Sequence, residues 1–387
     1  MRTILLISAI LFSAMLALPL THMATGWPPD APLLGVETSA RFPVPTWGAW
    51  WNGDWQAEFD AWLAQRIGLR GILVRTANQI RYSLFGELSG RRGTQVVEGK
   101  DGFFFERVYV RAYREGGNRE PSELRLISTA TRELQDDLAA DGVAFLLVIA
   151  PSKAEIYPEY LPDSVDTAGR AERRSTYDDM IGLLRDAGVN LVDAHALFKE
   201  LRRDPSAPLL FGKGGTHWNQ YGSALVVERT TERLRELTGK DLPSIRVTGA
   251  VTNRTIAGVD NDLVGLLNLW TGGRLAGPQV HPVLEKREGT HLPDILFTGD
   301  SFVFTLTDWM DREGLYRTRD TYYYYNRRFD YPGGGAEVLD KRELDVLGDV
   351  RRRDAVVFEI NEYWLPRIGF GFGHDLLRKY RDEAAED

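Results

Sequence analysis

The sequence predicts an α/β domain, a central and mostly parallel β-sheet flanked by helices, with one irregular insertion. Three observations predict it. Four short apolar runs (VAFLLVIA at 143–150, NLVD at 190–193, DILFTGD at 294–300 and AVVFEI at 355–360) have strand length and the near-continuous hydrophobicity of strands covered on both faces. Helical patterns separate them, the alternation that builds parallel sheets. The 387 residues, 43% of them hydrophobic, are enough to bury a substantial core.

At the N-terminus, Arg2 precedes an apolar run over residues 4–20, broken by Ser8, Ser13 and Pro19. This is the pattern of a signal anchor or signal peptide, assigned to residues 1–26. The exit Ala24-Thr25-Gly26 is a poor cleavage site, which favours the uncleaved anchor. No Lys or Arg follows Arg2 until Arg41, so the positive-inside tendency puts the rest of the chain outside the cytoplasm.

Residues 27–54, with GWPP and RFPVP, read as a proline-rich tethering linker, and residues 55–387 as the α/β domain. Phe59, Trp62, Leu63 and Ile67 recur at helical spacing, giving one or two amphipathic helices before residue 84. QVVEGKDGFFFERVYV, residues 95–110, reads as two short strands about a Lys100-Asp101-Gly102 turn. Ser122 is placed to cap a helix running to about Ala140; further helices are expected near 173–187 and 218–237. Residues 242–291, richer in Thr, Val and Gly, form the insertion.

A net charge of −8 argues against general affinity for nucleic acid, and the run Arg351-Arg352-Arg353 is short enough to be a solvated turn. With no cysteine, disulfides, thiolate metal sites and cysteine nucleophiles are excluded. The six histidines are scattered, so no metal is expected. Asp260-Asn261-Asp262 lacks the rest of a calcium loop and reads as a turn. No phosphate-binding loop is apparent, and no cofactor is expected.

Three segments can carry chemistry. In FTGDSFVF an apolar strand runs into Gly299-Asp300-Ser301 before a helix, a turn that exposes Ser301 near backbone N–H groups able to stabilise an oxyanion; equally, Asp300 or Ser301 can simply cap that helix. In GKGGTHWNQYG, residues 212–222, His217 precedes a helix whose positive end would help keep the ring neutral, as a general base requires; a histidine satisfied by backbone groups is the plain alternative. In APSKAEIYPEYLP, Ser152 and Lys153 follow a strand end, where ligands of α/β sheets commonly bind, and Lys153 could hold an anionic sugar or acyl group or pack structurally. Tyr322 to Tyr325 with Asn326 could line a sugar site or pack on the core.

The order VVEGKDGFFF, PSK with IYPE, THW and then GDS resembles the SGNH-hydrolase-like alginate O-acetyltransferases of bacterial exopolysaccharide systems, over roughly residues 55 to 365. The resemblance implies an SGNH-hydrolase-like fold and a periplasmic protein, anchored to the inner membrane, that acetylates polysaccharide hydroxyls. It also implies a polysaccharide substrate and a membrane-bound acetyl-donating partner. Catalysis would use Ser301 as nucleophile and His217 as base. The family's His motif is Asp-x-His-Trp, and its acidic position falls on Gly215.

In a serine-histidine pair a carboxylate fixes the imidazole tautomer and stabilises the imidazolium, and its loss slows catalysis without necessarily abolishing it, so a bare Ser301–His217 dyad is one reading. Asp193, Asp294 and Glu362 are possible replacements, with Glu362 and Asp193 ranked first, and Asn361 could donate to an oxyanion or shape a turn. The resulting expectation is O-acetyl transfer through a serine acyl-enzyme. The alternative is a non-catalytic polysaccharide-binding or assembly protein that keeps the fold without the acid.

Overall fold

The structure, a computed structural model, describes residues 2–386 apart from 37–38, 89–94, 118, 170–172 and 254–257. It divides into two compact units, Met1–Val96 with Val264–Arg274, and Val97–Leu263 with Leu275–Asp387.

In the first unit the helix Arg2–Thr25 is long and apolar enough to cross a membrane, and its described side chains are almost all exposed. The helices Asp54–Arg66 and Arg70–Phe85, which the sequence groups with the large domain, belong to this unit. Rings of Phe42, Trp55, Phe59 and Trp62 pack together there, so the periodicity seen in sequence marks a small aromatic cluster.

The second unit is an α/β fold. Its seven-stranded sheet has the spatial order 336–338, 327–331, 318–323, 294–299, 355–361, 144–150 and 191–193. The five strands from 318–323 to 191–193 are parallel, and 327–331 and 336–338 add an antiparallel edge. All four runs singled out in the sequence are therefore strands of this sheet.

Alternation along each strand feeds two cores. Leu146, Val148, Phe297 and Val357 face one side with Val227 and Leu234 of helix Gln220–Thr238 and Leu306 and Met310 of helix Val303–Glu313. Leu147, Ile149, Leu296, Val356 and Phe358 face the other with Leu134 and Leu138 of helix Pro121–Ala140 and Met180 and Leu184 of helix Thr176–Asp186. Burial on both faces is why these strands read as continuous apolar runs.

Local differences have local causes. The hairpin forms as strands Val96–Glu98 and Phe104–Glu106, with Asp101 in the left-handed region at φ 52°, but RVYV continues as helix Arg107–Glu115. Helix Pro121–Ala140 begins with Pro121 at its first turn, where a missing N–H costs nothing, and Ser122 is not its cap. The Arg351-Arg352-Arg353 run is not uniformly solvated: Arg353 is buried and bonded to Asp320. The insertion contains an antiparallel pair, Ser244–Asn253 with Gln279–Arg287, and the short turn Gly258–Asn261 lies between the two strands in the chain; residues 254–257 lie outside those described.

Candidate active site

Parallel strands end on the same side, so the loops after 144–150, 294–299 and 355–361 converge. Asp300, almost fully buried, pins two of them together. Its carboxyl accepts from the Phe302 N–H at 2.9 Å and from the Asn361 N–H at 2.8 Å. Ser301, next in the chain, is left partly exposed, with Oγ 2.7 Å from Nε2 of His217.

The other ring nitrogen of His217 is bonded to Oδ2 of Asp262, and Oδ1 of the same carboxyl accepts the Thr216 N–H at 2.7 Å. Ser301, His217 and Asp262 thus form one chain of hydrogen bonds. Asp262 is anchored by its neighbour, since the Leu263 N–H donates to the carbonyl of Gly214 at 3.1 Å.

The THW and GDS segments are locked to each other by their aromatic residues. Trp218 is fully buried, its ring 5.1 Å from that of Phe302, and its indole N–H donates to Thr305 on the helix after Ser301. Phe302 also packs edge-on to the His217 ring at 4.6 Å. Behind this pair, Phe211 and Trp218 form an antiparallel bridge that closes the neck of the loop 212–217.

Gly215, at the position of the family's acid, has a steric reason. A Cβ there would lie 2.1 Å from the carbonyl oxygen of Val259 and 3.1 Å from Cα of Asp260. The turn 258–261 fills that space and delivers the carboxylate of Asp262 from the insertion. Reading Asp260-Asn261-Asp262 as no more than a turn is therefore corrected: the turn exists, and its last residue is the partner of His217.

The carboxylates favoured in the sequence are committed elsewhere. Glu362 is bonded to His195 and accepts the Ser152 N–H at 2.7 Å. Asp193 accepts from Tyr177 and Arg185 and caps helix Ala194–Leu201, while Asp294 binds Arg317 and Thr318. Asn361 takes the turn role, its side chain accepting from the Tyr363 N–H at 3.1 Å and donating to the carbonyl of Pro151 at 3.3 Å.

Ser152 caps a short helix, and Lys153 is buried with its ammonium on main-chain carbonyls, so neither presents a charge to a ligand. Tyr322 and Tyr325 are core residues. Tyr324, by contrast, stands at the end of its strand with φ 46°, its N–H donating to the carbonyl of Gly299 at 2.9 Å.

Electrostatics around the serine are dominated by buried carboxyls. Burial alone would lower the pKa of His217, but the bond to Asp262 and the charges of Asp262, Asp300 and Glu106 outweigh it and leave the ring above its ordinary value. The helix beside it begins only at Gln220, so the lowering of the ring's pKa expected from a helix terminus at His217 is not what the surrounding groups produce. Burial, then the charge of Asp300, raises the phenols of Tyr109 and Tyr324 above their ordinary value, so both stay protonated. Tyr324 also lines a groove of about 680 Å³ with Ile127, Trp364, Arg367 and Phe370. Among the described residues, no group of three or more metal-ligating side chains is placed to hold an ion.

Residues 96–308, more than half of the chain, match the profile of the SGNH hydrolase-like domain of the acetyltransferase AlgX. The probable alginate O-acetylase AlgJ of Pseudomonas aeruginosa is 29% identical over 219 residues, covering 56% of this chain and 51% of that protein. Its counterpart in Pseudomonas syringae pv. tomato is 24% identical over 178 residues, covering 46% of this chain and 42% of the relative. The chain thus spans about half the length of these curated relatives. Among solved structures, the O-acetyltransferase domain of Pseudomonas putida AlgJ aligns with a TM-score of 0.44 at 18% identity, covering 70% of this chain and 92% of that one.

Proposed function

The chain belongs to the SGNH hydrolase-like family of the acetyltransferase AlgX, and on that premise we propose that it transfers acetyl groups to hydroxyls of an exopolysaccharide through an acyl-enzyme on Ser301. The observation that carries this reading is the hydrogen-bond chain Ser301–His217–Asp262.

In the first half-reaction, Ser301 Oγ attacks the acetyl carbonyl while His217 Nε2 takes its proton, and Asp262 holds the Nδ1–H and stabilises the imidazolium. The Ser301 N–H, at the approach to helix Val303–Glu313, is the donor we assign to the developing oxyanion. As the tetrahedral adduct collapses, the imidazolium returns its proton to the leaving group. In the second half-reaction His217 deprotonates a sugar hydroxyl, whose oxygen attacks the acetyl-serine, and the proton then passes to Ser301 Oγ as the ester bond to the enzyme breaks.

Alginate or a similar polymer as acceptor is supported by the names of the relatives. The groove beside Tyr324 offers aromatic faces and an arginine for a sugar chain. The apolar helix Arg2–Thr25, with its basic residue at the outer edge of the sequence, supports an anchored protein facing the periplasm, where a membrane-bound partner would supply acetyl groups. The non-catalytic alternative rested on a missing acid, and with Asp262 on His217 that support is gone.

The test is mass spectrometry of the full-length protein in detergent after exposure to p-nitrophenyl acetate. A single acetyl adduct on Ser301, absent from Ser301→Ala and His217→Ala, is the expected result. No adduct and no ester turnover between mildly acidic and alkaline pH would overturn the acyl-enzyme reading.

A further inference from the structure

Lys153 is the most deeply buried cation in this part of the molecule, only 2% exposed, and the acyl-transfer steps leave it without a role. Its Nζ lies 2.8 Å from the carbonyl oxygen of Phe104, 2.5 Å from that of Gly212, 2.8 Å from that of Lys213 and 2.9 Å from that of Gly215. The rings of Phe103 and Phe105 stand 5.3 and 5.4 Å away. An ammonium has three N–H donors, and four carbonyls converge on it. That surplus of acceptors, with two aromatic faces, is an environment for a positive charge rather than for a neutral amine.

The groups it gathers are not random. Phe104 belongs to the hairpin strand Phe104–Glu106, Lys153 follows strand Ala144–Ala150, and Gly212, Lys213 and Gly215 belong to the loop that ends in His217. Three segments read separately in the sequence (EGKDGFFF, PSK and GKGGTHW) thus meet at one nitrogen. The same loop presents the Gly214 carbonyl to Leu263 and the Thr216 N–H to Asp262. Thr216 Oγ1 donates to Glu106 at 3.0 Å, closing the loop back on the hairpin. Without the ammonium, four carbonyls turned inward would have to find water, and the loop would have to open to let them.

We propose that Lys153 is a positioning residue for the Ser301–His217–Asp262 chain, its ammonium acting as a tethered cation that gathers the carbonyls of the loop 212–215 and so fixes Thr216 and His217 against Asp262. Asp260 and Asp262 lie near enough to support the charge, while Lys213 opposes it. Lys213 Nζ donates to the carbonyl of Asp101 at 2.8 Å and stands 5.2 Å from the ring of Phe103. Burial opposes the charge and draws the Lys153 pKa down to about 7, so the ammonium that the four carbonyls favour is held in full only below neutral pH. The carboxyl of Asp260 is buried with no hydrogen-bond partner among the described residues, and burial raises it to about 7 as well. The role of Lys153 rests on the catalytic reading of Ser301, but its effect on the loop can be measured without catalysis.

The experiment compares full-length wild type, Lys153→Ala, Lys153→Met and Lys153→Arg in detergent. Two readouts are taken, the rate of Ser301 acetylation by p-nitrophenyl acetate and hydrogen exchange of the amides of residues 212–217. Lys153→Ala is expected to acetylate about 10²-fold more slowly, the loss that a misplacement of about 1 Å brings, and to exchange faster across the loop. Adding n-propylammonium, which replaces the deleted atoms and charge, should reverse both effects. n-Propanol should reverse neither. Lys153→Met, which fills the space without charge, should be slow and insensitive to the amine, and Lys153→Arg should retain part of the rate.

Wild-type rate and protection in Lys153→Met, or equal rescue by n-propanol and n-propylammonium, would reduce Lys153 to a packing residue and overturn the proposal. The two readings separate cleanly. If wild type forms no adduct while loop exchange still responds to the amine, the catalytic reading fails and the cation's hold on the loop stands. If wild type forms the adduct and Lys153→Met matches it, only the proposal for Lys153 fails.

Discussion

Asp262, 45 residues beyond His217 in the chain, holds the imidazole with one carboxyl oxygen and the preceding peptide N–H with the other. Asp262→Asn keeps the shape but favours the wrong tautomer. The comparable change in a serine protease lowers kcat by about 10⁴, and a loss of roughly that size in Ser301 acetylation is expected here. Asp193→Asn and Glu362→Gln are the informative controls. Both remove buried or half-buried bonds away from His217, so they should lower thermal stability while leaving the acetylation rate close to wild type. A large kinetic loss in Glu362→Gln with Asp262→Asn unaffected would mean that the wrong carboxylate has been assigned.

Restoring the family's acid at position 215 should not repair that defect. The double variant Gly215→Asp with Asp262→Asn places a Cβ 2.1 Å from the carbonyl of Val259, against main chain that cannot step aside cheaply. The expected outcome is a fall in melting temperature, corresponding to more than about 2 kcal/mol as for other overpacked or strained sites, with no recovery of acetylation. Recovery to near wild-type rate would show that the turn 258–261 can be displaced.

What could be read from the sequence follows the range of the interactions. Strands buried on both faces announce themselves through composition, and the serine and histidine through short motifs with local geometry. Asp262 does neither. Its selection depends on a turn in the insertion crossing the space above Gly215, and a tertiary contact of that kind leaves only an indirect trace, a glycine where the family has an acid. Lys153 stands out in the sequence by its place after a strand end, but nothing local distinguishes a lysine that meets a ligand from one that binds four carbonyls. The RVYV segment reads as strand in the sequence because three consecutive apolar residues, Val108 to Val110, are too few to separate a strand from the start of a helix.

The pH dependence of acylation should carry the mark of Asp262. The folded-state pKa of His217 lies above the ordinary imidazole value near about 6.5, because the bond and charge of Asp262 outweigh burial. Only the neutral ring can accept the serine proton, so the acetylation rate should rise with pH through an inflection above that ordinary value. The linked stability has the opposite slope. The raised pKa contributes stability in full below the unfolded-state value, and that contribution disappears as pH rises through the folded-state value. In Asp262→Asn, where only the charges of Asp300 and Glu106 are left to oppose burial, the inflection should move to lower pH. Acetylation rates and melting temperatures measured across the same buffers check both signs, and an inflection below the ordinary value in wild type would contradict the assignment.

Glu359 gives the most direct test of the buried acid behind the serine. It sits at the centre of the sheet with no exposure, its carboxyl facing Asp300 and 2.8 Å from where a Cβ on Gly299 would stand. Burial first, and then the charge of Asp300, push its pKa well above the usual carboxylate range. Asp300 has two peptide N–H groups on its oxygens, so the proton belongs on Glu359. In the unfolded chain that proton is lost above the normal glutamate pKa, and stability contributed by the neutral acid therefore declines as pH rises. Each unit by which the folded pKa exceeds the unfolded one costs about 1.4 kcal/mol once the pH has passed both. Glu359→Gln keeps the shape and the donor toward Asp300 but cannot ionise. It should flatten the stability profile above pH 5, match or exceed wild type at pH 8, and retain Ser301 acetylation to within about tenfold, because the turn that carries Ser301 is still pinned. A variant less stable than wild type at pH 8 and equal to it at pH 4 would show instead that Glu359 is ionised in the folded protein.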